Sequence, residues 1–196
     1  MDTYLILYIT LGLLHLSLRS EGCRKTGSLV KILLMPALIL HVLSKGSLPW
    51  VVASLGFATI GDTLLIKGHK GKCFLFGMGF FALAHLSYSL HLLSGPLNRT
   101  RVISAGLILL IIFLFFLKML TRHTSWVKYA LYALNLCVLA ALCAGASVLG
   151  FLGALAFILS DSMIALDSLG KDHFSSTSEM TSYILAQLLL VLGFTL

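Results

Sequence analysis

Charge is scarce in this 196-residue sequence. Asp, Glu, Lys and Arg make up 11% of the residues, whereas roughly 25% of the residues of an ordinary soluble domain are charged. Hydrophobic residues make up 59% of the chain. This composition excludes a soluble enzyme, a disordered regulator and a nucleic-acid-binding domain, even though the formal net charge is +7. It indicates a protein that crosses the membrane several times.

The motifs of several common catalytic chemistries are also missing. The four cysteines suggest no disulfide framework, and no pair of them has the spacing of zinc ligands. No H-x-x-x-H or H-E-x-x-H spacing occurs, and Ser160 has no recognisable nucleophile elbow around it. We therefore expect no cofactor and no bound metal.

Long apolar runs separated by short polar segments predict eight membrane-spanning helices in a single integral membrane domain, residues 1–196. A helix that crosses the bilayer takes about 20 residues, so eight helices use ~160 and leave ~35 for loops. The fold class is therefore all-α, a polytopic helical bundle. We expect the first run to be retained as a helix, since it lacks the basic segment and cleavage site of a signal peptide. The predicted helices cover residues 2–18, 29–44, 48–66, 73–93, 102–120, 126–144, 147–169 and 180–196.

Basic residues are distributed unevenly between the two sides of this predicted bundle. One side, which we call the basic side, holds ten of the fourteen. Because Lys and Arg concentrate in cytoplasmic loops, both termini are predicted to face away from the cytoplasm. The expected location is the cytoplasmic membrane in a bacterium or the endoplasmic reticulum membrane in a eukaryote. The ten residues are Arg19, Arg24, Lys25, Lys67, Lys70, Lys72, Lys118, Arg122, Lys128 and Lys171.

Two short, similar segments relate the two halves of the chain. The segments "GDTLLI" around Asp62 and "SDSMIA" around Asp161 are 99 residues apart, which is half the chain. Both lie in the third predicted span of their half, and four spans per half preserve the orientation. This similarity favours a 4+4 parallel internal repeat, which would place the two aspartates on opposing helices.

These two aspartates are the most costly residues in the sequence, because a carboxylate inside the bilayer costs at least ~2.5–3.5 kcal/mol. Asp62 and Asp161 lie ~7 Å and ~13 Å from the basic side. We therefore predict that they share one cavity. The other five acids are predicted to lie near water, at the terminus, in loops or at span ends: Asp2, Glu21, Asp167, Asp172 and Glu179.

Polar and small residues on two other spans extend the candidate site. Tyr183 and Gln187 share one face of the eighth span, where interhelical hydrogen bonding explains them as well as substrate contact does. A row on the fourth span falls within roughly 80° of one helix face. This row consists of Gly77, Phe81, His85 and Tyr88.

The ordered motifs "GDTLL", "FLFGMGFFALAHLSY", "SDSMIAL" and "YILAQ" resemble the YhhN-type lysoplasmalogenase family of integral membrane proteins. The resemblance runs from about residue 35 to the C-terminus. It implies an eight-helix hydrolase that acts on lysoplasmenylethanolamine or lysoplasmenylcholine. The products would be a fatty aldehyde and glycerophosphoethanolamine or glycerophosphocholine. The site residues it implies are Asp62, Gly77, Phe81, His85, Tyr88, Ser160, Asp161, Tyr183 and Gln187.

One departure from the family pattern concerns a Lys-Pro pair that the family often shows early in the second span. Here Met35 precedes Pro36, and the nearest lysine is Lys31, five residues before the proline. The role of Lys31 is therefore left open. A phosphate headgroup would meet a basic rim around Lys67, Lys70, Lys72 and Lys31.

Vinyl ether hydrolysis needs a proton donor and an anionic partner, and the two aspartates are the expected catalytic pair. The expected partners are a lysophospholipid substrate and the lipid bilayer, with no nucleic acid. Three alternatives remain: a zinc site formed by Asp62, His85 and Asp161, an intramembrane aspartyl protease, and a proton-coupled transporter that uses the same aspartates.

Overall fold

A computed structural model describes residues 2–46, 48–66, 71–120, 126–168 and 174–196. Within these ranges the chain forms helices and no strands, which confirms the predicted all-α class. Seven of the described helices are long and apolar enough to cross a membrane, and α3 is a shorter apolar helix. The helices are α1 Thr3–Ser20, α2 Arg24–Lys45, α3 Pro49–Leu65, α4 Gly71–Leu93, α5 Arg99–Leu120, α6 Trp126–Ala146, α7 Val148–Ser168 and α8 Ser176–Thr195.

Local sequence signals account for where several helices begin. Asp2 caps α1 by accepting a hydrogen bond from the Tyr4 backbone nitrogen at 3.3 Å, and Ser175 caps α8 in the same way. Pro49 occupies the first turn of α3, where its missing N–H is not needed. Asp2 also accepts from Ser44 at 2.7 Å and lies 2.9 Å from the His41 ring. The hydrogen bond from Ser44 lowers the pKa of Asp2 and ties the start of α1 to the end of α2.

Helix contacts form a closed circuit of seven helices. Within the described residues, α1 packs on α2, α2 on α3, α3 on α4, α4 on α6, α6 on α7, α7 on α8, and α8 on α1. The fifth helix lies outside this circuit, packs on α6, and exposes Ile111 and Phe115 by 69% and 77%. Such apolar exposure suits contact with lipid chains.

The contact pattern fits the predicted 4+4 repeat. The pairs α1–α2, α2–α3 and α3–α4 recur as α5–α6, α6–α7 and α7–α8, and α4–α6 corresponds to α8–α2. Asp62 and Asp161 accordingly lie on equivalent helices, α3 and α7. The peripheral position of α5 breaks the symmetry, because its counterpart α1 contacts both α2 and α8.

Glycines let the paired helices approach closely. A Cβ atom at Gly61 would lie 2.8 Å from the Phe81 ring, and one at Gly77 would lie 3.1 Å from the Leu65 side chain. On α7, a Cβ at Gly153 would lie 2.6 Å from the backbone nitrogen of Leu190 on α8. In lipid the hydrophobic effect does not drive helices together. Small residues at a helix crossing allow close van der Waals packing, which stabilises the contact instead.

Replacing Gly153 with alanine should destabilise the protein by about 1–3 kcal/mol, because α7 and α8 must separate to admit the methyl group. The matched control is Gly79→Ala on the exposed face of α4, where a Cβ meets nothing within 4 Å. Thermal unfolding in detergent, followed by tryptophan fluorescence, measures both variants. Equal melting temperatures for the two would contradict this description of the α7–α8 contact.

Candidate active site

Asp62 and Asp161 line one cavity of about 50 Å³, as the sequence predicted. Six helices contribute to its lining: α2, α3, α4, α6, α7 and α8. A buried water needs about 10–15 Å³ of such space, so the cavity has room for roughly three or four waters. Six helices of the circuit thus surround a small chamber with Asp62 and Asp161 in its wall.

Asp62 is held by a cation and a hydroxyl group. Its side chain is 1% exposed, and the Lys31 Nζ atom lies 3.0 Å from its Oδ1 atom. The Tyr183 hydroxyl donates to the Oδ2 atom at 2.6 Å. Burying a lone carboxylate would cost several kcal/mol, and a close ammonium with a hydrogen bond offsets much of that cost. Lys31, Asp62 and Tyr183 therefore form one unit that joins α2, α3 and α8.

Sequence reasoning left the role of Lys31 open, and the structure places it in the cavity wall. Lys31 and Met35 are four residues apart on α2, so they share a helix face one turn apart. The long side chain of Lys31 reaches Asp62 from this earlier turn. One signal in the sequence pointed to this pair, because a charge inside the membrane is usually matched by an opposite charge.

Asp161 has different surroundings. It is half-buried, and the Tyr132 hydroxyl of α6 donates to its Oδ2 atom. Among the described residues that line the cavity, Lys31 is the only lysine or arginine, and its ion pair is with Asp62. The two carboxyl groups of the cavity therefore differ in their immediate partners: an ammonium and a phenol for Asp62, a phenol for Asp161.

Glu179 is a third carboxyl group in this cavity, and the prediction that it lies near water was wrong. It lies in the first turn of α8 and is only 7% exposed. The physical reason is the tight packing of α8 on α7, where the Ser160 hydroxyl donates to the Glu179 backbone oxygen at 3.2 Å. The sequence places Glu179 at the start of a helix, but it does not show that α7 packs against this end of α8.

Three of the predicted substrate-binding residues line the cavity with the aspartates: Phe81, Ser160 and Tyr183. The rings of Phe81 and Tyr183 meet edge to face at 5.9 Å, and each also meets Phe157. Such pairs fix ring positions beyond what burial alone does. Phe81 and Tyr183 thus form an aromatic part of the cavity wall beside Asp62, and Phe157 packs against both of them.

The other four predicted residues lie behind this lining. Gly77 packs against Leu65 of α3 and serves the helix crossing. The Tyr88 hydroxyl donates to the Gln187 side-chain oxygen at 2.9 Å, which joins α4 to α8. The sequence left two explanations for Gln187, an interhelical hydrogen bond and substrate contact. The structure shows the interhelical hydrogen bond, with Tyr88 as the partner.

His85 is fully buried and packs against the rings of Phe157 at 4.6 Å and Tyr132 at 5.6 Å. It therefore touches the tyrosine that bonds to Asp161. Neither ring nitrogen has a hydrogen-bond partner within the part of the chain that the structure describes. The same residues contain no group of three His, Cys, Asp or Glu side chains placed to hold a metal ion, so the zinc alternative lacks a ligand set there.

Part of the predicted basic side falls beyond the structural description. Lys72 is exposed at the start of α4, two residues before Phe74, which lines the cavity. Four of the ten basic residues, and one of the acids, lie outside the described residues: Lys67, Lys70, Arg122, Lys171 and Asp172.

Comparison with known proteins agrees with the resemblance noted in the sequence. The sequence model of the YhhN family matches residues 26–194, a stretch that contains Lys31 and every other residue of the cavity wall. No curated protein and no solved structure matches the chain at a significant level. Since the match covers most of the chain, this protein belongs to the YhhN family.

Proposed function

We propose that this protein is a membrane hydrolase that cleaves the vinyl ether bond of lysoplasmalogens. One observation carries the proposal: two carboxyl groups from separate helices share a cavity but have different partners. Enzymes that cleave bonds through an oxocarbenium-like state use such a pair, one carboxyl as acid and one as base. Membership of the YhhN family is compatible with a hydrolase.

The partners of the two aspartates suggest which is the acid. Lys31 supplies a positive charge to Asp62, so Asp62 serves as the carboxylate. Asp161 is half-buried and has no counterion of its own among the described residues. Partial burial without a counterion favours the protonated form of a carboxyl group, so Asp161 serves as the acid. The Tyr132 hydroxyl donates to Asp161 Oδ2, which leaves Oδ1 to hold the proton.

The reaction follows from these protonation states. Asp161 transfers its proton to the second carbon of the alkenyl chain, and the first carbon becomes an oxocarbenium centre bonded to the glycerol oxygen. Water attacks the first carbon while Asp62 accepts one of its protons, which yields a hemiacetal. Asp62 then protonates the leaving glycerol oxygen, and Asp161 takes the proton of the hemiacetal hydroxyl. The products are an aldehyde and the glycerophospho-base, one water is consumed, and both carboxyl groups return to their starting states.

Asp161→Asn and Asp62→Asn should each lower aldehyde release from lysoplasmalogen by at least ~100-fold, the usual contribution of a positioned acid or base. Mass spectrometry of purified protein in detergent measures the aldehyde. Glu21→Gln, an exposed acid in the loop after α1, is the matched control and should leave the rate unchanged. Near-normal turnover by either folded asparagine variant would refute the catalytic pair.

Lys31→Met should also lower turnover strongly, because Asp62 loses the charge that keeps it ionised. Lys45→Met, an exposed lysine at the end of the same helix, is the control. The double variant Lys31→Met with Asp62→Asn should turn over no more slowly than Asp62→Asn alone. The reason is that the rate losses from two residues of one functional unit are not additive. Additive losses would show that Lys31 acts apart from Asp62.

Substrate choice tests the proposed reaction itself. Purified protein is incubated with lysoplasmenylethanolamine and, separately, with the ester lysophospholipid that has the same headgroup. We expect aldehyde from the vinyl ether lipid and no fatty acid from the ester. Transport of either lipid in proteoliposomes without cleavage would overturn the proposal in favour of a transporter.

A further inference from the structure

A second cavity adjoins the active-site chamber at Asp161. It has a volume of about 120 Å³ and lies between α5, α6 and α7. The two cavities share four lining residues: Tyr129, Tyr132, Asp161 and Ala165. Away from Asp161 the walls of the second cavity are mostly apolar, with Ile112 and Phe116 on α5, Leu136 on α6 and Ile158 on α7.

The apolar space continues beyond this second cavity. A third cavity of about 510 Å³ shares Ile112 with it and extends between α5 and α7 to Arg101 and Val148. We call the second and third cavities together the α5–α7 groove. From Asp161 to Val148 the groove runs 13 residues along α7, or ~20 Å. One leaflet of the bilayer core is about 15 Å thick, so the groove is long enough to hold a lipid chain.

The fold explains why this groove exists. The peripheral helix α5 packs on α6, and α7 packs on α6 beside it. Helices α5 and α7 therefore form the walls of a groove whose floor is α6. In a bilayer the open side of such a groove faces lipid, and hydrocarbon is the occupant that its apolar walls accept.

We propose that the α5–α7 groove binds the single hydrocarbon chain of a lysophospholipid, with the first carbons of the chain at Asp161. This inference rests on the proposed function and names the chain-binding part of the same site. The groove joins the chamber where the carboxyl group of Asp161 and the hydroxyl group of Tyr132 lie, so a lipid chain in the groove has its polar end there. The reactive bond of a vinyl ether lipid joins the first two carbons of the chain. The glycerol oxygen bonded to the first carbon then lies in the chamber beside Asp161.

Photo-crosslinking with an uncleavable lipid tests the occupant. The probe is a saturated alkyl-ether lysophosphocholine with a diazirine at the end of its chain, added to the purified full-length protein. Mass spectrometry of the labelled peptides should place most of the label on Leu109, Phe151 and Leu155, which line the far part of the groove. Unlabelled single-chain lysophospholipid should compete this label away, whereas a two-chain phospholipid at equal concentration should not.

Two neighbouring substitutions on α5 provide the matched pair. Ile112 lines both parts of the groove, so Ile112→Trp should narrow it there and lower groove labelling several-fold. Ile111 is 69% exposed on the lipid-facing side, and Ile111→Trp should leave labelling unchanged. Turnover of Ile112→Trp should fall by a larger factor for a long-chain substrate than for one whose chain ends before Ile112.

The outcomes separate the groove from the reaction. Label spread evenly over lipid-facing residues such as Ile111 and Phe115, or competed equally by a two-chain phospholipid, would overturn the groove assignment. Such labelling would rule out the groove as the chain-binding site even if the protein hydrolyses lysoplasmalogen. Specific groove labelling by the uncleavable probe, in a protein that releases no aldehyde, would support the groove and refute the proposed reaction.

Discussion

The ion pair between Lys31 and Asp62 is the interaction on which the rest of the site depends. A carboxylate deep in a membrane protein is stable only when a partner offsets the loss of water, and Lys31 is that partner at 3.0 Å. The pair joins α2 to α3, and Tyr183 brings in α8 through its hydrogen bond to Asp62. Three helices from different parts of the chain are thereby held around one charge.

Asymmetry between the two halves of the bundle gives the site its chemical difference. Helices α3 and α7 occupy equivalent places and carry equivalent aspartates, yet only the first half supplies a lysine to the cavity wall among the described residues. The position of α5 outside the helix circuit adds a second difference, because the apolar groove that α5 lines adjoins Asp161. Two halves with corresponding helix contacts thus produce two carboxyl groups with unequal surroundings.

Individual residues show how much of the site could be predicted from the sequence. Asp62 and Asp161 were predictable because an acid in an apolar run is costly, and similar depth indicated a shared cavity. Gly77 and Tyr88 were predicted from their helix face as site residues, and the structure places both at contacts between helices, outside the cavity lining. A helix face shows which residues lie together on one helix, and it does not show which neighbour covers them. Glu179 was missed for the same reason, since its burial depends on the contact of α8 with α7.

By itself, the sequence determined that the chain is an all-helical membrane protein with eight apolar segments, and which two acids demand an explanation. These conclusions rest on free energies of transfer and on helix length, which depend on composition and local order. Only the tertiary structure decided that Lys31 neutralises Asp62, that Tyr132 bonds to Asp161, and that an apolar groove reaches the same chamber. These features depend on which helices meet, and helix packing is set by small residues and side-chain shapes that are far apart in the chain.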